Sequence, residues 1–328
     1  MSERPLVSVI VPCFNAEKTV TRTLDSLAAQ TLRDLEIVAV NDGSTDHTLD
    51  VLNHWKDDHP DVNIVIYSKE NEGIAETRNF GVARVSGKYF GFLDSDDYTA
   101  PGMYRDLSEK AEEEDLELVI SDFYWVNSKG DRLQNEGPYA CGQDMMVKLF
   151  AVLWNKLYRT DFIRSLDIRF PKGYRYEDDC YLYCMVPHLS KIGFTLGRGY
   201  VRYVQQENSI THNNNEQVKN MIHVFEIILD YYKSHGLYDE YRDALEYIHI
   251  KAFLGNSFLR SCKIRDPIDR KNTVMLGWEL LNREFPDWHK NPYLKSLGGM
   301  KNRYFSMVYD WNIGFLTWFF HVFGRDNI

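Results

Sequence analysis

The chain has 328 residues, enough for one large domain or two smaller ones, and its 44% hydrophobic and 26% charged side chains are ordinary for a globular protein. A net charge of −10 argues against a nucleic-acid partner. The charge is uneven: residues 1–197 carry 21 basic and 33 acidic side chains (−12) and residues 198–328 carry 17 and 15 (+2), so the two parts are expected to do different jobs.

Leu6–Val11 is a β-branched run ended by Pro12 and reads as a buried strand. Asn15 is placed to cap a helix on which Val20, Leu24, Leu27 and Ala28 share a face. Leu35–Val40 is a second strand, stopped by the polar turn Asn41-Asp42-Gly43-Ser44-Thr45-Asp46, and Leu49, Val51, Leu52 and Trp55 continue as helix. Val62–Tyr67 is a third strand; Asn71-Glu72-Gly73 breaks the chain before a helix over Ile74–Val85. The fourth strand runs from Tyr89 straight into Asp94-Ser95-Asp96-Asp97. Alternating strands and helices predict a doubly wound α/β domain, in which strand C-terminal ends line one crevice. Those ends deliver Asn15, Asp42, Asn71, Asp94 and Asp96. Two carboxylates two positions apart in extended chain would face the same side and repel, and a hard cation such as Mg²⁺ or Mn²⁺ would relieve them.

The acidic stretch Glu109–Glu114 reads as a solvated helix face, and Glu117–Val126 as another strand. Residues 127–142, rich in Gly, Asn and Ser, are expected to form a loop or an excursion before a helix near 143–150. Trp154-Asn155-Lys156 follows, and then a second carboxylate cluster, Glu177-Asp178-Asp179, opens a helix. Negative charge at a helix start is favourable in itself, so cap chemistry competes with a functional role there. Ile192–Val204 returns as strand. Beyond about residue 215 the pattern turns helical, through Val218, Ile222, Phe225 and Leu229, then Leu245, Ile248, Ala252 and Phe253, then about 270–283.

The tail, about 301–325, gathers Trp311, Phe315, Trp318, Phe319, Phe320 and Phe323 between Lys301, Arg303 and Arg325. No stretch reaches the roughly 18–20 apolar residues that span a bilayer, so the tail is expected to lie in the headgroup layer or to pack on the protein. No leader peptide is visible before the first strand, which makes a cytoplasmic protein the expectation. The five cysteines are odd in number and scattered, and Cys180 and Cys184 lack the second pair of a zinc site, so all five are expected as reduced thiols. Neither a P-loop nor G-x-G-x-x-G occurs.

Five motifs in order carry a family resemblance: Val7-Ser8-Val9-Ile10-Val11-Pro12-Cys13-Phe14-Asn15; Asn41 to Asp46; Asn71-Glu72-Gly73 with Ala75, Arg78, Asn79 and Gly81; Leu93 to Asp97; and Glu177-Asp178. The chain resembles the inverting glycosyltransferases of family 2. The resemblance implies a GT-A fold: a Rossmann-like, mainly parallel sheet with helices on both faces, over about residues 1–212. A nucleotide-sugar half (1–98) and an acceptor half (99–212) would divide it, with a helical region at 213–328. Trp154-Asn155-Lys156 and Ser209-Ile210-Thr211 look like the bacterial cell-surface polysaccharide and glycolipid branches.

By that resemblance the donor is a UDP-sugar, with Pro12, Asn15, Asp42, Asn71, Arg78, Asp94 and Ser95 at the nucleotide-sugar. Asp96 and Asp94 would hold Mn²⁺ or Mg²⁺. Asp178, with Glu177 as second choice, would take the proton from an acceptor hydroxyl. Trp154, Lys156, Arg202 and His212 are further candidates for acceptor or diphosphate contacts. The implied partners are a lipid-linked or glycan acceptor and, through the tail, the inner membrane face; a homodimer stays open. A nucleotidyltransferase acting on sugar phosphates and a non-catalytic sugar-nucleotide-binding protein are the alternative readings.

Overall fold

The computed structural model describes residues 4–127, 130–204 and 218–324. They form two compact units, one of residues up to 173 together with 177–204, the other of 174–176 and 218–324.

In the first unit, β1 (Val7–Cys13), β2 (Leu35–Asp42), β3 (Ile64–Lys69) and β4 (Tyr89–Phe92) are parallel in the order β3-β2-β1-β4. Every residue of β1, β2 and β4 is buried, which is why these strands read as continuous apolar runs instead of alternating ones. β1 carries on through Pro12, contrary to the sequence expectation. Its pairing with β4 ends at Ile10, so the missing N–H at Pro12 removes no rung on that side. The crossovers are α1 (Val20–Ala28), α2 (Thr48–Asp58) and α3 (Ile74–Arg84). α1 buries Val20, Thr23, Leu24 and Leu27, close to the expected stripe. α3 lies tight on β1 at Gly81, where an added Cβ would meet Ile10 Cγ2 at 2.5 Å.

Past a short β5 (Tyr98–Thr99) and α4 (Met103–Glu113), whose acidic end faces solvent, the sheet changes character. β6 (Leu118–Asn127) pairs with β7 (Gly130–Gln134) and, after α5 (Gln143–Lys148), with β8 (Lys156–Arg159), antiparallel to both. β8 joins β4 antiparallel and so fuses the two halves into one nine-stranded sheet. After α6 (Thr160–Ser165) and α7 (Glu177–Met185), β9 (Ile192–Val204) runs parallel to β6 and pairs with β5 at the far edge. The sheet is therefore mixed: β1 to β4 pair parallel, as do β6 and β9, and the remaining pairs are antiparallel. β7 also falls inside the stretch expected to be a loop or an excursion: it is an almost wholly exposed strand, stabilised by its ladder with β6 and not by apolar burial, so it has no hydrophobic pattern to read.

The second unit is helical: α8 (Lys219–Ser234), α9 (Tyr238–Lys251), α10 (Ser257–Cys262), α11 (Pro267–Glu284), α12 (Pro292–Ser296), α13 (Gly299–Phe305) and α14 (Asp310–Phe323). The expected helix runs on through Ala252 and Phe253 as a π turn, Ala252–Asn256, and breaks from helical backbone at Gly255. α11 starts on Asp266, whose carboxylate accepts from the Ile268 and Asp269 amides, followed by Pro267 at the first turn. No helix among the described residues is long and apolar enough to cross a membrane.

Candidate active site

The loops after β1, β2 and β3 are tied to one another at the same edge of the sheet. Asp42 and Lys69 are register partners at the ends of β2 and β3, and Lys69 Nζ donates to Asp42 Oδ1. The same carboxylate accepts from the backbone of Glu72 (3.0 Å) and Gly73 (2.9 Å), while Asn71 Nδ2 donates to the Asp42 carbonyl at 3.0 Å. Gly43 sits at φ +62°, and a Cβ there would lie 2.6 Å from the Asn71 amide, so only glycine lets the two loops approach. Asn15 does not cap α1. It adopts φ +49° and its Oδ1 accepts from the Thr45 amide at 2.8 Å, joining the β1 and β2 loops, while α1 starts at Thr19 without a side-chain cap. Lys69 had no motif to reveal it, because its role depends on a strand register that sequence alone does not fix.

Beyond β4 the backbone turns: the Asp97 amide donates to the Asp94 carbonyl at 3.0 Å. The expectation that Asp94 and Asp96 share one side of an extended strand therefore gives way to a four-residue turn, Asp94–Asp97. Ser95 is partly buried at its tip. Asp97 is fully buried; its Oδ1 accepts from the Val204 amide at 2.8 Å and Oδ2 has no hydrogen-bond partner. Burial, with the neighbouring charge of Asp94, pushes Asp96 up to about 6 and Asp97 well above the usual carboxylate range. Arg22, which carried no signal in the sequence, donates to the Asp96 carbonyl at 2.5 Å.

Arg78 joins this turn to the second carboxylate cluster. It rises from α3, is 7% exposed, and gives one terminal nitrogen to Asp94 Oδ1 (3.0 Å) and the other to Glu177 Oε1. Glu177, 6% exposed, is thereby the partner of a buried cation. Asp178, the next residue, keeps part of its surface open. Desolvation first, and then the charge of Glu177, push its carboxyl up to about 7 against the pull of Arg78. Asp94 also contributes to that rise, so residues 84 positions apart in the chain act on one another electrostatically. One guanidinium faces three carboxylates here, which leaves a proton-accepting group poised near neutrality.

Three of the remaining candidates, Lys156, Trp154 and Arg202, make contacts within the protein itself. Lys156 is fully buried, and its ammonium is held by Glu136 (3.3 Å), the Phe150 and Val152 carbonyls (3.0 and 2.8 Å) and Asn155 Oδ1 (2.8 Å). It has no surface with which to touch a diphosphate. Glu136, unremarked in the sequence, also accepts from Tyr139, Phe150 and Asn155. Lys156→Met should therefore destabilise the fold by about 3 kcal/mol in urea melts by stranding Glu136; an unchanged midpoint would contradict this. Trp154 is buried, edge-on to Phe123 (4.6 Å) and stacked on Tyr203. Arg202 pairs with Asp131 (3.4 Å) and lies over the Tyr124 ring. His212 and Ser209-Ile210-Thr211 fall outside the described residues.

The family description "Glycosyl transferase family 2" matches residues 8–171, half the chain. This chain belongs to that family. The family 2 chain is 31% identical over 189 residues to the uncharacterized glycosyltransferase EpsJ of Bacillus subtilis, covering 53% of itself and 54% of EpsJ. It is 33% identical over 219 residues to the chondroitin synthase of Pasteurella multocida, covering 66% of itself and 22% of that enzyme. It thus spans about half, or less, of the length of these curated relatives. Among solved structures, TarS of S. aureus superposes with a TM-score of 0.69 at 21% identity, over 86% of this chain and 49% of that one. TarS 1–349 in complex with UDP-GlcNAc gives 0.58 at 18% identity, over 85% and 91%. These likenesses establish the GT-A fold for this family 2 chain, whose matched segment holds Asp42, Arg78, Asp94 and Asp96 and ends just before Glu177.

Among the described residues no three His, Cys, Asp or Glu side chains form a ready-made metal cage. Asp94 and Asp96 nevertheless fit a hard cation. They are oxygen donors on one turn; burial first, and then the charge of Asp94, hold Asp96 high, and such ions commonly complete their shell with water and substrate phosphate.

Proposed function

We propose that the chain transfers a sugar from a UDP-sugar to an acceptor hydroxyl in one displacement that inverts the anomeric centre. The observation that carries this reading is Asp178, raised to about 7 and coupled through Glu177 and Arg78 to the Asp94 turn. Asp42 is the candidate for the uracil ring N–H: Oδ1 is taken by Lys69 and Glu72, but Oδ2 accepts only from Gly73 among the bonds seen and keeps acceptor capacity. Pro12, near the end of β1, and Asn15 and Asn71, on the loops beside Asp42, would shape the base and ribose pocket, with Ser95 nearer the sugar. Asp96 and Asp94 would hold Mn²⁺ or Mg²⁺, which when bound neutralises charge on the diphosphate.

Asp178 would take the acceptor O–H proton while that oxygen bonds to the anomeric carbon. The bond from that carbon to the diphosphate breaks, and UDP leaves with its electron pair. Arg78 would keep Asp94 and Glu177 in place and hold Asp178 from rising further. The TarS complex with UDP-GlcNAc and the chondroitin synthase relationship support a UDP-linked donor and cell-surface polysaccharide or glycolipid synthesis. A lipid-linked or glycan acceptor used at the cytoplasmic face of a membrane completes the reading.

A panel of UDP-sugars scored by release of free UDP tests it. One or more donors should be consumed with Mn²⁺ or Mg²⁺, activity should disappear with EDTA and in Asp96→Ala, and excess metal should restore the parent protein only. Pyrophosphate formation from UTP and a sugar phosphate, without UDP release, would instead favour a nucleotidyltransferase.

A further inference from the structure

The helical unit wears α14 inside out. Its more polar side is the one that packs. Asn312 donates to the Met307 carbonyl (2.7 Å), His321 Nδ1 bonds to the Cys262 carbonyl (2.9 Å), and Phe320 meets Phe258 and Tyr304 edge-on. The opposite side presents Trp311, Phe315, Trp318, Phe319, Val322 and Phe323 to solvent, with Trp311 82% exposed. Their spacing, i, i+4, i+7, i+8, i+11, i+12, is one continuous helical stripe. A soluble surface rarely carries such a stripe without a partner.

Two further observations say what covers it. Residues 288–324 hold four Lys or Arg and a single carboxylate, Asp310, whose Oδ1 is occupied by Trp278 Nε1 (2.7 Å). Lys295, Lys301 and Arg303 are exposed and make no ion pair among the described residues, in a chain of net charge −10. Between α13 and α14 an open, mainly apolar groove of about 300 Å³ is lined by Met300, Arg303, Tyr304, Met307, Asn312 and Leu316. Unpaired cations on α12 and α13, with Arg303 lining the groove against Asn312 and Leu316 of α14, together with the exposed Trp and Phe match an anionic headgroup layer. A second copy would bring the same positive charge to the same face and be repelled.

We infer that the α13–α14 face docks on an anionic bilayer surface, with the aromatic stripe in the headgroup layer and the groove open to an acyl chain. This deepens the acceptor reading above by naming the face that meets the membrane, but it rests on the helical unit alone, so donor turnover in solution is scored separately. The experiment is sedimentation of the full chain with vesicles of equal parts phosphatidylglycerol and phosphatidylcholine, against pure phosphatidylcholine, with tryptophan emission recorded. Binding to the anionic vesicles with a blue shift is expected. Trp311→Ser/Phe315→Ser/Trp318→Ser should weaken it by ~10-fold or more, with an unchanged circular dichroism melt because the changed residues are exposed. Lys301→Glu/Arg303→Glu should abolish the preference for anionic lipid while leaving UDP release unchanged. Absence of vesicle binding by the parent chain, or binding that survives both variants, would overturn the inference. So would a concentration-dependent dimer, lost in the aromatic variant, in a protein that ignores vesicles.

Discussion

Asp178→Asn is expected to lower kcat for sugar transfer by about 10²–10⁴-fold while leaving UDP binding nearly unchanged. The asparagine keeps the shape of the side chain at the start of α7 but cannot accept the acceptor proton. The parent's kcat/KM should rise with pH and level off above about 7, because only the ionised carboxylate acts as base and its pKa is raised to about 7. The variant should lose that limb. The stability consequence has the opposite sense. A carboxylate whose pKa is higher in the folded protein keeps its proton there while the unfolded chain has lost it, so stability falls as pH climbs from about 4 toward 7. Asp178→Asn removes this loss, and its melting temperature should gain most on the parent above pH about 7. A variant that is inactive yet at least as stable as the parent separates a catalytic role from a structural one; full transfer activity would remove Asp178 from the mechanism.

Arg78→Met should have the largest effect on stability, about 3–5 kcal/mol by urea denaturation, and should abolish transfer as well. Arg78 is the buried cation shared by Asp94 and Glu177, and its loss strands both carboxylates beside Asp178. Removing one of those charges should help: Arg78→Met/Glu177→Gln should regain part of the stability. It should not regain activity, because Asp94 still lacks its partner. Equal stability of the single and double variants would show that the Arg78–Glu177 pair contributes little. Any residual activity of the single variant should show its pH limb displaced upward, since Arg78 is the charge that pulls Asp178 down.

The first four strands were legible because β1, β2 and β4 are buried throughout and α1 keeps a clear apolar stripe. β9, at Ile192–Val204, matches its predicted span end for end. β7 was not legible, since an exposed strand held by backbone pairing leaves no pattern in its side chains. At the site, the acidic residues announced themselves by spacing and Arg78 by the family motif, whereas the pairings that compensate the acids did not. Lys69 meets Asp42 only through the register of β2 with β3, Arg78 reaches Glu177 across 99 positions, and Glu136 finds Lys156 by a turn in the chain that no motif encodes. The carboxylates at the strand ends are local features of the sequence; their counter-charges are properties of the folded sheet. The same asymmetry explains α14: its aromatic composition was plain, but which side faces outward depends on what the polar side anchors to.

The most direct test of a single displacement with Asp178 as base is the anomeric configuration of the first product formed, followed by NMR from an α-linked UDP-sugar. The account predicts a β-glycoside from the earliest time point. An α-glycoside would contradict it, because retention leaves no place for one carboxylate acting only to deprotonate the incoming hydroxyl.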